Sequence, residues 1–253
     1  MVAASSRGLG RAVAEALAAE GCDLMLCARG DGALERTRAE IAKTHGVTVA
    51  ARAADLSKAD EAAAVAKAAL DELGGIDILV TNNGGPPAGT FEQHDLEAWR
   101  GAYHQTLESV LVLVRDLLPG MKERRWGRIV NVTSICVKQP IEGLMLSNSL
   151  RAAVTGFART LATEVAAFGV TVNNVLPGYT RTDRVEQLAK HRAREEGVEP
   201  GQIIERFSAQ IPAGRIGDPS EFGAMVAFLA SEKAAYVTAQ SIAVDGGWIR
   251  SLF

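Results

Sequence analysis

Residues 128–164 read RIVNVTSICVKQPIEGLMLSNSLRAAVTGFARTLATE, and this stretch decides the fold. Ile129–Val132 is a continuous apolar run that ends on the hydroxyl pair Thr133-Ser134. A loop holding Pro140 and Gly143 follows, and then Leu150, Val154, Phe157, Leu161 and Val165 recur at the spacing of a buried helix face. A strand with no polar alternation is buried on both sides, which is the condition of a parallel sheet. Hydroxyls released at its carboxyl end stand where an open α/β sheet places its chemistry.

The same alternation runs outward in both directions. Ser5-Ser6-Arg7-Gly8-Leu9-Gly10 leads into an Ala-rich helix to Glu20, and the sequence predicts strands over 23–28, 47–53, 76–80, 170–175 and 241–244. Helices are predicted over 32–44, 58–72, 97–122, 150–167 and 219–231, with a charged helical segment over 183–210. No linker rich in Pro, Gly or Ser divides the 253 residues, so they read as one domain. The predicted architecture is α/β, a single doubly wound, Rossmann-like parallel sheet with helices on both faces.

Composition excludes several classes. Hydrophobic residues make up 47% of the chain, which rules out a disordered protein. The net charge of −3, without any basic block, argues against nucleic acid and anionic membranes as partners. No apolar run approaches the length of a membrane span, and Val110–Val114 stops at Arg115; no signal peptide is read at the start. Cys22, Cys27 and Cys136 lack metal-ligand spacing and read as core thiols of a cytoplasmic protein.

The glycine turn is the first candidate site. A strand, a tight turn and a helix start present backbone N–H groups and a positive dipole end to a phosphate. Three signals stand in register with it, each at a strand's carboxyl end: Arg29, Asp55, and Asn82 with Gly84. An acidic residue at Arg29 would hold a ribose 2′-hydroxyl, whereas arginine pairs with a 2′-phosphate, so NADP is favoured over NAD. Arg7 is a second candidate for that phosphate.

These motifs resemble the short-chain dehydrogenase/reductase family over essentially the whole chain, closest to the 3-oxoacyl-carrier-protein reductase type. The matching residues are Ser6-Arg7-Gly8-Leu9-Gly10, Asp55-Leu56, Asn82 and Gly84 after an ILV strand, and Val130-Asn131-Val132-Thr133-Ser134. Arg151–Phe157, Pro177-Gly178, Ile211–Gly217 and Val244-Asp245-Gly246-Gly247 continue the match. The resemblance implies a carbonyl or alcohol substrate, NAD(P), a dimer or tetramer, and a substrate lid at 183–210. It implies cofactor contacts at Ser6, Arg7, Gly8, Leu9, Gly10, Arg29, Asp55, Leu56, Asn82, Gly84, Arg151, Pro177 and Gly178.

It also implies an active-site tetrad of Asn, Ser, Tyr and Lys, and here the chain departs. Thirteen residues after Ser134 stands Ser147 instead of tyrosine, and four further on stands Arg151 instead of lysine. The asparagine position is Thr106, the usual Thr-Gly of the turn is Ala3-Ala4, and Thr81-Asn82-Asn83-Gly84 stands for Asn-Asn-Ala-Gly. Ser134, Ser147 and Arg151 are the candidate catalytic residues. An aliphatic hydroxyl is a far weaker acid than a phenol, and a guanidinium does not shuttle protons, so turnover is expected to be weak. Tyr179, beside Pro177-Gly178, is the best of the three tyrosines as a stand-in, ahead of Tyr103 and Tyr236; ordinary packing is the stronger reading for each.

Three readings stand side by side. They are an NADP-dependent oxidoreductase with a degenerate site, a catalytically impaired dinucleotide-binding scaffold or sensor, and, least favoured, chemistry without hydride transfer as in halohydrin dehalogenases. Only Met1-Val2-Ala3 stand before the turn, so five to fifteen residues of a central strand are expected to be missing, about one strand length.

Overall fold

Side chains that alternate across each strand divide the apolar residues into two layers, and the computed structural model, which describes residues 1–252, places helices over both. In chain order the elements are α1 Gly8–Ala19, β1 Leu24–Ala28, α2 Asp31–His45, β2 Val49–Ala53, α3 Ala59–Leu73 and β3 Ile78–Thr81. Then come α4 Leu96–Tyr103, α5 Ser109–Arg124, β4 Gly127–Val132, α6 Met145–Val165 and β5 Val170–Pro177. The chain ends with α7 Asp183–Glu196, α8 Pro200–Gln210, α9 Pro219–Ala230 and β6 Ser241–Val244.

All strand pairs are parallel: β1 with β2, β3 with β4, β4 with β5, and β5 with β6. Met25, Cys27, Leu79, Ile129 and Val172 face α3, α5 and α6. Leu24, Leu26, Val80, Val130 and Val175 face α1, α2 and α9. Every residue of β1 and β4 is buried, the polar Arg128 and Asn131 of β4 included.

The space between β1 and β3 is filled by the first residues of the chain. Val2 N donates to Met25 O and Ala3 N to Val80 O, while Cys27 N donates to Val2 O and Val80 N to Met1 O. These three residues thus supply ladder partners on both sides. The sheet then runs β2-β1-(1–3)-β3-β4-β5-β6.

A buried polar ladder crosses the sheet near its carboxyl end. Thr81 Oγ1 donates to Asn131 Oδ1 at 2.7 Å, Asn131 Nδ2 to Asn174 Oδ1 at 3.2 Å, and Asn174 Nδ2 to Ser241 Oγ at 3.1 Å. Buried amides have to be paired, and here each amide specifies the next strand's register.

Several element boundaries differ from the sequence reading, among them that of α6, which begins at Met145 and not at 150. The helix predicted over 97–122 is interrupted by a π-turn, His104–Glu108, between α4 and α5. The segment 183–210 is two helices, broken where Gly197 takes a left-handed φ of 68° and Pro200 restarts the chain. A separate apolar cluster, Val185, Ala189, Ala193, Ile203, Phe207 and Ile211, holds α7 and α8 together with Tyr179. No helix among the described residues is long and apolar enough to cross a membrane.

Candidate active site

The turn before α1 is shaped by backbone crowding. A Cβ on Gly10 would lie 2.2 Å from the Ala4 carbonyl oxygen and 3.0 Å from Asn82 Nδ2, so only glycine fits. Ala4 itself takes a left-handed φ of 49°, a conformation that costs a residue with a Cβ about 1 kcal/mol. Neither the N-cap residue Arg7 nor any first-turn acid satisfies the opening amides of α1. Free N–H groups at a positive dipole end are the donor set that a pyrophosphate takes, so these residues fit a dinucleotide.

The other predicted cofactor residues line the same carboxyl edge. Arg29 follows β1 and is exposed, with its charge acting on Asp55. Asp55 Oδ1 accepts from the Ser57 amide and hydroxyl, which holds the carboxyl below its ordinary value although partial burial works against the shift. Leu9 and Leu56 pack on the two cores, Ser6 O accepts from Thr37 Oγ1, and the Gly84 carbonyl accepts from Gln105. Pro177 ends β5, and a Cβ on Gly178 would lie 2.7 Å from Asp245 Cα. Arg7 does not turn toward Arg29: its Nη1 pairs with Asp183 Oδ2 of α7 at 2.7 Å.

The catalytic candidates meet at the end of β4. Ser134 Oγ caps the short turn 135–137 by accepting from Cys136 N at 3.2 Å, which leaves its proton free to donate. Ser147 and Arg151 lie one turn apart on α6, and both are buried. Arg151 Nε donates to Ser147 Oγ at 3.2 Å; Nη1 donates to Val132 O at 3.0 Å and Thr133 O at 2.9 Å; Nη2 donates to Asn83 Oδ1 at 3.3 Å. Four of its five N–H groups are therefore spoken for, and one on Nη2 remains. Burial lowers the affinity of this guanidinium for its proton, Cys136 opposes the shift, and repulsion from Arg184 adds to it.

Thr106 sits on the π-turn, buried, with its hydroxyl unpaired. Local widening of a helix recurs at functional sites. The tyrosines offer no replacement acid. Tyr179 is stacked on Phe207 at 4.2 Å between ring centroids and edge-on to Trp248, so it belongs to the packing of α7 and α8. Burial raises its phenol pKa, the wrong direction for an acid. Tyr103 and Tyr236 are exposed.

The sequence analysis passed over Asn83, which anchors Arg151, and Arg184, whose Nη2 donates to Pro86 O at 3.1 Å. The Asn82-Asn83 doublet was a visible signal for the first, whereas Arg184 looked like one charge among many in a charged segment.

Comparison with known proteins agrees with this geometry. The family profile described as enoyl-(acyl carrier protein) reductase matches residues 3–249. The 3-oxoacyl-[acyl-carrier-protein] reductase FabG of Vibrio cholerae is 36% identical over 247 residues, 98% of this chain and 95% of that protein. The D-beta-hydroxybutyrate dehydrogenase of Cupriavidus necator is 35% identical over 257 residues, 98% of this chain and 96% of its own length. The crystal structure of L-sorbose reductase from Gluconobacter frateurii, complexed with NADPH and L-sorbose, superposes with a TM-score of 0.94 at 31% identity, covering 99% of this chain and 96% of that one. The chain belongs to the short-chain dehydrogenase/reductase family of oxidoreductases, in its 3-oxoacyl-carrier-protein-reductase-like branch.

Proposed function

We propose that the protein is an NADP-dependent oxidoreductase of a carbonyl/alcohol pair whose proton step is degenerate. The observation that carries this is the meeting, at one sheet edge, of an uncapped glycine turn and the Ser134–Ser147–Arg151 group. The bound cofactor supplies the hydride. Arg29 supports the phosphorylated form, since it stands at the end of β1 where a ribose-binding acid would otherwise be, and the sorbose reductase relative was crystallised with NADPH.

Ser134 donates its free hydroxyl proton in a hydrogen bond to the substrate oxygen. Ser147 accepts from Arg151 and meets Cys136 Sγ at 3.9 Å, so it serves as an orienting group and not as an acid. Arg151 contributes a fixed positive charge and one open N–H, which suit a ribose hydroxyl. The proton that completes the alcohol then comes from solvent. Losing a positioned acid costs about 10²–10⁴ in rate. Those losses define a slow enzyme, and α7 with α8 forms the lid over its substrate.

The scaffold reading keeps one specific support: Tyr179, the best stand-in acid, is committed to packing against Phe207 and Trp248. Assembly as a dimer or tetramer remains part of the proposal. Of the leucines of α5, Leu113 and Leu117 are in the core, which leaves the half-buried Leu111 and Leu118 for an interface.

Calorimetric titration with NADPH and NADH, followed by NADPH consumption over a ketone panel, tests the proposal. Micromolar NADPH binding, weaker NADH and slow ketone reduction are expected. Binding without turnover selects the scaffold reading, and no binding of either nucleotide overturns both.

A further inference from the structure

The loop after β3 is gripped by two guanidinium groups, and no carboxylate comes with them. Arg151 reaches it at Asn83 and Arg184 at Pro86. Arg184 lies so close over Gly85 that a Cβ there would be 3.0 Å from both Nε and Nη2. The two cations are near enough to repel each other, and crowding by protein further disfavours the charge on Arg184 although its side chain still meets solvent.

Three features leave the exposed Arg184 guanidinium open to an anion. Arg184 is the second residue of α7, in the first turn, where the helix dipole already places positive potential. The adjacent carboxylate of Asp183 is turned away to Arg7. Neither Arg151 nor Arg184 has a carboxylate partner, whereas Arg7, Arg11, Arg124 and Arg215 do. Arg184 spends one of its five N–H groups on Pro86 O, so the rest of its fork is open to an anion.

We infer that Arg184 is a specificity-determining residue that pairs with an anionic group of the substrate, and that the substrate class is an oxo acid or hydroxy acid. This rests on the oxidoreductase proposal above. The carboxylate pairs with the Arg184 fork while the carbonyl to be reduced faces Ser134, so the acid group selects the substrate and orients it at once. The cofactor's diphosphate is the other anion that the same donors would attract, and the test separates the two.

Binding is measured by calorimetry on protein saturated with NADP⁺, where a ketone forms a complex that cannot turn over. The probes are 2-, 3- and 4-oxo acids of four to eight carbons, each with its neutral amide. At least one acid is expected to bind tenfold or more tightly than its amide. Arg184→Met brings that pair to within about threefold and Arg184→Lys retains part of the preference, with NADP⁺ affinity within twofold throughout and an unchanged circular-dichroism melt for both variants. Three results overturn the inference: acids and amides binding alike to the unmodified protein, a preference that survives Arg184→Met, or a tenfold loss of NADP⁺ affinity in that variant, which assigns Arg184 to the cofactor. Failure of the unmodified protein to bind NADP⁺ at all is a separate result, because it removes the oxidoreductase proposal itself and this inference with it.

Discussion

The two ends of the candidate site depart from the family pattern in opposite ways. At the glycine turn the residue types change, with Ala3-Ala4 for Thr-Gly, yet the backbone geometry is kept, because Ala4 accepts a φ of 49° and Gly10 still packs under its carbonyl. At the end of β4 the positions are kept and the chemistry changes, with Ser147 and Arg151 on the same helix face but no proton donor of suitable acidity. A backbone demand can be met by another residue for about 1 kcal/mol. A proton-transfer demand cannot, because acidity belongs to the functional group.

The sharpest way to break the first half of this contrast is Gly10→Ala. Its methyl would enter the Ala4 carbonyl, so loss of soluble protein, or a lower melting temperature with NADPH affinity reduced more than about a hundredfold, is expected in thermal melts and calorimetry. Next in size is Arg151→Met, which strands the carbonyls of Val132 and Thr133 and the Asn83 amide. Urea denaturation should show a loss of about 3 kcal/mol. Retention of full stability would mean that those groups find water instead.

Arg29→Glu tests the cofactor end without touching the fold. NADPH affinity is expected to fall about tenfold or more while NADH affinity holds or improves, since a charge-assisted bond to the 2′-phosphate is lost. Ser147→Ala tests the catalytic end. With Ser147 as an orienting group only, kcat/KM should fall by less than about tenfold and the pH profile should not move; a larger loss with a displaced profile would make Ser147 the acid. The smallest effect is a gain. Ala4→Gly relieves the left-handed backbone and should raise stability by up to about 1 kcal/mol, read as a small rise in the denaturation midpoint.

Much of the fold was legible because parallel strands buried on both faces are written as unbroken apolar runs. The runs in LMLCA and in IVNV announced β1 and β4, and glycines marked the turns. The π-turn at 104–108 was not legible, since a widened turn keeps the same residues and shifts only which carbonyl each amide meets. The pairing of residues 1–3 with β1 and β3 was not legible either, because its partners lie more than 20 residues away in the chain. In the site, Ser134, Ser147 and Arg151 were named as candidates from the family spacing, whereas Asn83, Arg184 and the Arg7–Asp183 pair join segments far apart in the chain.

By itself the sequence determined the layer architecture, the glycine turn and the loss of the tyrosine and lysine, since each depends on local periodicity or on identity at a fixed spacing. Only the tertiary structure decided that Arg151 spends four donors on its own scaffold, that Tyr179 is committed to packing, and that a second unneutralised arginine stands beside the first. Charge balance and donor accounting are properties of neighbours in space, and α7 reaches its neighbours in the loop after β3 only when the chain is folded.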